Sequence, residues 1–313
     1  MRERSESIRT TVETNTKRIT KSVIKVLIVL VIFYFLGKNL YQNWRQIDFK
    51  QLHFNVPLLI VSILFLFIYF LLFVFGWKLI LKRLGVSLSF LKALKIIFYS
   101  QLGKYLPGKI WVFMGRIYFC QQLGIPTSKT FLSIVLELAV AIISGTLIFL
   151  VALSIFPGTQ IHINPFFLMI VVVILFIIIH PKVLTRIINI FLHLAKKGSI
   201  KIDLNFSQIC GIIMYYCIVW LSFGIAFYFL INSTTFIALS KIPLLAGSFS
   251  ISATIGAMAL FVPGGLGVRE GVLALLLNNF FPISLAILLS ILSRIWISFG
   301  EFILIVISTR IKL

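Results

Sequence analysis

The apolar pattern of this chain is interrupted most sharply at Phe261-Val262-Pro263-Gly264-Gly265-Leu266-Gly267-Val268-Arg269-Glu270-Gly271. This stretch places a proline, four glycines and an Arg–Glu pair between two strongly apolar runs. Proline has no backbone donor, and glycine readily adopts non-helical dihedral angles, so the stretch predicts a break between two helices. Inside a membrane, the freed backbone groups need protein, water or a ligand as partners, because lipid offers none.

A second stretch has the same character: Gln101-Leu102-Gly103-Lys104-Tyr105-Leu106-Pro107-Gly108-Lys109. The Pro-Gly pairs at 107–108 and 263–264 are separated by half of the 313-residue chain. This spacing suggests a duplication in which each half contains one broken helix.

The composition identifies the broad class. The mean hydropathy is +1.10, and 60% of the residues are hydrophobic. Only 12% are charged, whereas a soluble domain carries about 25%. The sequence therefore predicts an all-α polytopic membrane protein, with a basic cytoplasmic tail at 1–22 and a single membrane domain at 23–309.

The apolar segments predict six transmembrane helices and two re-entrant helical hairpins. The arms of the first hairpin contain about 14 residues each, or roughly 21 Å of helix, against about 30 Å of hydrocarbon. Eight crossings are the alternative. In the six-crossing layout, repeat 1 (23–153) and repeat 2 (164–307) enter from opposite sides, as in inverted-repeat transporters. The predicted helices are 23–40, 56–76, 131–153, 164–179, 209–231 and 284–307, and the hairpin arms are 88–100 with 110–123 and 244–262 with 271–281.

The net charge of +21 does not indicate nucleic-acid binding. Most Lys and Arg residues lie in loops on one side of the predicted layout, as the positive-inside rule requires of cytoplasmic loops. We therefore expect a multi-pass protein of the cell membrane with both termini in the cytoplasm. The three cysteines lie in apolar runs and predict no disulfides, and the four histidines lack metal-ligand spacing.

Six charged residues lie within apolar segments: Glu137, Glu270, Glu301, Arg116, Arg269 and Arg294. A lone charge at the bilayer centre costs about 2.5–3.5 kcal/mol, so these side chains should face the protein interior and find partners. Glu137 and Arg294 occupy equivalent positions after the two breaks. We predict that they form an ion pair between packed helices, or alternatively that each pairs locally or reaches the interface.

The helix that resumes near Gly267 directs its free N–H groups and positive dipole end toward the second break. An arginine at that place is favourable when an anion binds there, and glycine N–H groups with an arginine suit a phosphate. Alternatively, Pro and Gly only shape a turn and the charges reach the interface. The predicted anion-binding residues are Lys104, Lys109, Arg116, Gly264, Gly265, Gly267 and Arg269, and the breaks are at Pro107, Gly108 and Pro263.

The ordered set of motifs resembles a known family. It comprises Gly103 to Trp111, Gly115-Arg116, Glu137, Pro263 to Glu270, and Arg294. This set is similar to the membrane domain of lysylphosphatidylglycerol synthases, the flippase-like domain of multiple peptide resistance factors, from about residue 22 onward. The resemblance implies movement of an anionic or aminoacylated phospholipid, or another lipid-linked headgroup, between leaflets. It does not imply synthase activity, which belongs to a soluble domain that follows the membrane region.

The leading hypothesis is therefore a flippase-like protein whose partner is a membrane phospholipid. No cofactor is predicted, and the sequence has no Gly-rich loop ending in Gly-Lys-Ser/Thr that would indicate nucleotide binding. Two other classes remain open. One is a membrane-embedded enzyme acting on a lipid headgroup, for which only Glu270 and Glu137 offer acid–base groups. The other is a partner subunit of a separate synthase or glycosyltransferase.

Overall fold

The computed structural model describes residues 54–105, 110–155, 166, 170, 173, 174, 177, 180–194, 204–259 and 265–312. Helices dominate these ranges, which contain no β-strand. The predicted tail at 1–22, the predicted helix at 23–40 and most of the predicted helix at 164–179 lie outside them. The α-helices are α1 (Val56–Arg83), α2 (Phe90–Gln101), α3 (Ile110–Gln122), α4 (Thr127–Ile155), α5 (Pro181–Leu194), α6 (Phe206–Asn232), α7 (Ile242–Met258), α8 (Val268–Leu277) and α9 (Ile283–Thr309).

Five helices in the described ranges are long and apolar enough to cross a membrane. They are Val56–Arg83, Thr127–Ile155, Phe206–Asn232, Leu239–Met258 and Ile283–Thr309, the fourth including the 3₁₀ turn before α7. The prediction of an all-α polytopic membrane protein is confirmed.

Helix α1 shows how local sequence sets the helix boundaries. It begins where the Asn55 side chain accepts a hydrogen bond from the Leu58 N–H at 3.1 Å, and it ends before Gly85, whose φ is +73°. The sequence interpretation ended this helix at residue 76 because Lys78 follows. The structure extends it by two turns, since Trp77, Ile80 and Leu81 continue the buried face.

Helices α1 and α6 pack closely and run in opposite directions. The Asn55 N–H, at the start of α1, donates to the Ser233 carbonyl at 2.8 Å, just beyond the end of α6. Near the other end, Gly76 lies against the Tyr216 ring, where an added Cβ would come within 2.8 Å. The end of α1 therefore lies beside the start of α6.

Basic residues collect at this end of the bundle, which we call the basic end. The start of α4 lies there, because the Trp77 indole N–H donates to Ser133 Oγ at 3.1 Å. The end of α9 lies there too, because Lys95 on α2 donates to the Ile311 carbonyl. Among the described residues, the opposite end has Lys241 and the basic end has Lys78, Lys82, Arg83, Lys92, Lys95, Lys129, Lys182, Arg186, Arg310 and Lys312.

The helices on either side of each Pro-Gly break pack against each other, α2 with α3 and α7 with α8. Helix α2 begins just after α1 reaches the basic end, and α3 ends just before α4 begins there. The pair α7 and α8 begins and ends at the opposite end, since α6 finishes there and α9 starts there. The residues of the breaks themselves, Pro107, Gly108, Lys109, Pro263 and Gly264, lie outside the described ranges.

Each of these helix pairs packs on the last helix of the other half. Helix α7 lies against α4, where Gly247 and Gly145 permit close approach and the Ser250 hydroxyl donates to the Gly145 carbonyl at 2.9 Å. Helix α2 lies against α9. Because each half packs a helix against the last helix of the other half, charged residues from both halves meet inside the bundle.

Candidate functional site

The first interior ion pair joins α3 to α4. Arg116 Nη1 donates to Glu137 Oε2, and the two side chains are only 5% and 7% exposed. The Arg116 guanidinium also lies 5.2 Å from the centre of the Trp77 ring, and the Tyr216 hydroxyl donates to Glu137 Oε1 at 3.4 Å. The pair is thus covered by aromatic side chains from α1 and α6.

The second interior ion pair joins α8 to α9. Arg294 Nη1 donates to Glu270 Oε1 at 2.6 Å. Glu270 Oε2 accepts the Gly267 N–H at 2.7 Å, so this carboxylate also caps the start of α8. Gly267 has a φ of +80°, a conformation that favours glycine. Unlike Arg116, the Arg294 side chain is 26% exposed.

The predicted ion pair between Glu137 and Arg294 is wrong. Each residue instead pairs with a charge on the neighbouring helix of its own half, which was the alternative that the sequence left open. The physical reason is proximity, because α3 and α4 are joined by a short turn, as are α8 and α9. Their own helices also have other main neighbours: α4 packs on α7, α6 and α1, whereas α9 packs on α8, α2 and α1.

A third ion pair links the two halves. Lys104, in the 3₁₀ turn Leu102–Tyr105 that follows α2, donates from Nζ to Glu301 Oε2 on α9. The two side chains are 22% and 14% exposed. This contact attaches the end of α2, next to the first break, to the last helix of the second half.

Arg269 is bonded differently from the other interior cations. Its Nε is 3.7 Å from Glu270 Oε1, beyond hydrogen-bond distance, and its guanidinium lies 4.9 Å from the centre of the Phe249 ring. Its Nε and Nη2 are buried and make no hydrogen bond with any residue that the structure describes. Gly256 on α7 permits this position, since an added Cβ there would lie 2.9 Å from Arg269 Cβ.

Tyr69 on α1 is a member of the site that sequence reasoning missed. Its ring packs edge-on against Phe223 at 5.0 Å, and Phe223 stacks on Phe249, the ring beside the Arg269 guanidinium. Within the apolar run of α1, a single tyrosine gave no signal that it would face this cluster. The buried indole N–H of Trp296, whose ring packs on Phe223 at 5.9 Å, also lacks a hydrogen-bond partner within the described ranges.

We refer to Tyr69, Lys104, Arg269, Glu270, Arg294 and Glu301 as the central cluster. Counted along α9 at 1.5 Å per residue, Glu301 and Arg294 lie about 12 and 22 Å from the end of the helix at Thr309, so both are well inside the candidate membrane span Ile283–Thr309. Its three cations outnumber its two carboxylates, and an uncompensated buried donor costs about 1–3 kcal/mol. The cluster therefore favours an anion beside Arg269.

The predicted anion-binding residues are only partly brought together. Gly265 and Gly267 are buried beside the start of α8, and Gly265 packs so closely on Gly256 that an added Cβ would lie 2.8 Å from its carbonyl oxygen. Arg116 is instead held by Glu137, in the ion pair that joins α3 to α4. No group of three or more His, Cys, Asp or Glu residues suited to a metal occurs in the described part of the chain.

These features define a polytopic helical membrane protein with a charged cluster contributed by α1, α8, α9 and the turn after α2. The family whose sequence model matches residues 22–304 is described as the lysylphosphatidylglycerol synthase TM region. The match covers most of the chain, so the protein belongs to this family. No curated protein matches the chain as a relative.

Proposed function

We propose that this protein moves a phospholipid or a lipid-linked headgroup between the leaflets of the membrane. The observation that carries the proposal is Arg269, a buried cation at the start of α8 with two donor atoms that have no hydrogen-bond partner among the described residues. A lipid phosphate supplies the charge and the acceptor oxygens that this arginine lacks. Membership of the family and the five apolar helices agree with a lipid as the ligand.

The phosphate would be held by Arg269 together with backbone N–H groups around Gly264, Gly265 and Gly267. Glu270 shapes this place, because it caps α8 and holds Arg294. Lys104 and Lys109 flank the other break and would attract the headgroup from the first half. We assign Arg116 and Glu137 to the stability of the bundle, since both are buried in their own pair.

In this proposal the two helix pairs are re-entrant hairpins of an inverted repeat, within a bundle of six transmembrane helices. Two features support it. Each pair begins and ends at the same end of the bundle, and the two pairs do so at opposite ends. The ten described cations at the basic end also favour placing that end, where α9 finishes, in the cytoplasm. The proposal places the N-terminus on the same side, through the predicted helix at 23–40.

The contacts of the described carboxylates favour transport over catalysis. Glu137, Glu270 and Glu301 are each engaged by a cation, and Glu270 also caps a helix. A general base needs a carboxylate within reach of a substrate proton. The acid–base groups on which an enzyme would depend are thus already committed to the structure.

The proposal is tested by reconstituting the purified protein into liposomes that contain fluorescent phospholipids in both leaflets. An impermeant reductant destroys the fluorophores of the outer leaflet, and further loss reports movement from the inner leaflet. We expect protein-dependent movement of at least one lipid among phosphatidylglycerol, its aminoacylated form and phosphatidylcholine. If none moves faster than in protein-free liposomes, the proposal is overturned.

A further inference from the structure

Helix α5 has a strongly two-sided sequence. It runs from Pro181 to Leu194 as PKVLTRIINIFLHL. Lys182, Thr185, Arg186 and Asn189 recur at spacings of three and four residues, so these polar residues share one face of the helix. Most of the remaining positions are apolar. At 14 residues the helix measures about 21 Å, which is too short to span a bilayer but typical of a helix that lies on its surface.

The start of α5 is attached to the basic end of the bundle. The His180 ring lies 6.0 Å from the Phe206 ring at the start of α6. Between these two helix starts is an open cleft of about 500 Å³. Its polar lining comes from His180, Lys182, Thr185 and Asn205, and its apolar lining comes from Pro181, Leu204 and Phe206. The cleft thus combines a permanent cation with neutral donors and an apolar wall.

None of the other helices in the described ranges packs extensively against α5. Lys182 and Arg186 are exposed, and so is Ile190, which is 55% accessible. A helix that presents cations and isoleucine together is poorly suited to water and well suited to the boundary between headgroups and acyl chains.

The charge around α5 indicates which kind of membrane surface the helix would contact. No acidic residue occurs between Glu137 and Asp203 in the sequence, whereas ten of the cations that the structure describes gather at the basic end. The described carboxylates are Glu137, Glu270 and Glu301, all of them engaged in the interior. An anionic leaflet is the complementary surface.

We propose that α5 lies in the membrane interface at the basic end and binds anionic phospholipid headgroups through Lys182 and Arg186, with one headgroup seated in the cleft beside His180. This docking site is separate from the central cluster. It does not depend on whether the protein moves lipid.

Hydrogen–deuterium exchange on the whole protein tests this site without an attached chemical probe. The protein is placed in nanodiscs of phosphatidylcholine alone and in nanodiscs that also contain phosphatidylglycerol. We expect the amides of α5 to exchange at least about fivefold more slowly with phosphatidylglycerol, which corresponds to the contribution of one cation at an anionic surface. Higher ionic strength should reduce this difference.

The Lys182→Gln/Arg186→Gln variant should lose the difference between the two lipids while the amides of α1 and α6 remain protected. The matched control is Lys78→Gln/Lys82→Gln, which removes two cations at the same end and should keep the difference in α5. Equal exchange of α5 in the two lipids, in the wild-type protein, would overturn the proposal. So would an equal loss of the lipid effect in the control variant.

Discussion

Each half of this protein contains one interior Arg–Glu ion pair, and the order of the two charges along the chain is reversed between the halves. In the first half, an arginine on α3 pairs with a glutamate on α4, and in the second half a glutamate on α8 pairs with an arginine on α9. Each pair joins the helix that directly follows a break to the long helix after it. The surroundings differ, however. Trp77 and Tyr216 cover the first pair, in which only Arg116 Nε lacks a hydrogen-bond partner among the described residues. The second pair has a partly exposed Arg294 and a neighbouring Arg269 whose Nε and Nη2 both lack such a partner.

This difference suggests that the two ion pairs have different roles, one in stability and one beside a binding site. A buried ion pair holds its two helices together, and removal of one partner leaves a stranded charge. A pair with an additional cation beside it retains an affinity for an anion. We therefore assign stability to the first pair and lipid binding to the surroundings of the second, and the variants below are expected to separate the two roles.

The largest loss of stability is expected from Glu137→Gln, because Arg116 is then buried without a counter-ion. The free energy of unfolding should fall by about 3–5 kcal/mol, as measured by denaturant titration in detergent micelles. The control on the same helix is Lys129→Gln, at an exposed position, which should change it little. The double variant Arg116→Met/Glu137→Leu should recover much of the loss, and a double variant as unstable as Glu137→Gln would contradict this role.

Glu270→Gln should have a smaller effect of about 1.5–3 kcal/mol on the same titration. The amide can still accept the Gly267 N–H, and Arg294 is exposed enough to be hydrated in part. The comparison between the halves fails if Glu270→Gln is as damaging as Glu137→Gln.

The Lys104–Glu301 ion pair, which links the halves, should contribute least to the free energy of unfolding among the three ion pairs. Lys104 and Glu301 are both partly exposed, so a double-mutant cycle with Lys104→Met and Glu301→Gln should give a coupling energy of up to about 1 kcal/mol. A coupling energy several times larger would show that this contact, rather than the Arg116–Glu137 pair, holds the bundle together.

Arg269→Met should change the free energy of unfolding by no more than about 0.5 kcal/mol, or should raise it. Methionine retains an apolar contact with Phe249 and removes donors that have no described hydrogen-bond partner. A loss similar to that of Glu137→Gln in the denaturant titration would assign Arg269 to the structure instead of the ligand.

Much of the fold could be predicted from the sequence, because apolar runs and Pro-Gly breaks are local signals. The predicted helix at 131–153 corresponds to α4, and the first arms of both breaks lie close to their predicted positions. Boundaries were missed where burial or capping overrode the pattern. Helix α8 begins at Val268, three residues before the predicted 271, because Glu270 caps its start. The buried face of Trp77 to Leu81 extends α1.

The pairing of the interior charges could not be obtained in the same way. The sequence shows that Glu137 and Arg294 are in apolar segments, but their partners depend on which helices pack together. Equivalence between repeats suggested a contact across the halves, whereas short connections placed Arg116 and Glu270 nearer. The sequence likewise did not indicate where the Tyr69 side chain lies, because its position is set by packing between α1 and the second half.

This difference in roles is tested most directly by the rate of phospholipid movement in liposomes containing Arg269→Met. Loss of a charge-assisted hydrogen bond to the phosphate should slow movement by at least about tenfold, although the protein remains folded. Arg269→Lys should be intermediate, and the exposed-site control Lys129→Gln should match the wild type. Movement at the wild-type rate in Arg269→Met would contradict the assignment of this arginine to the lipid headgroup.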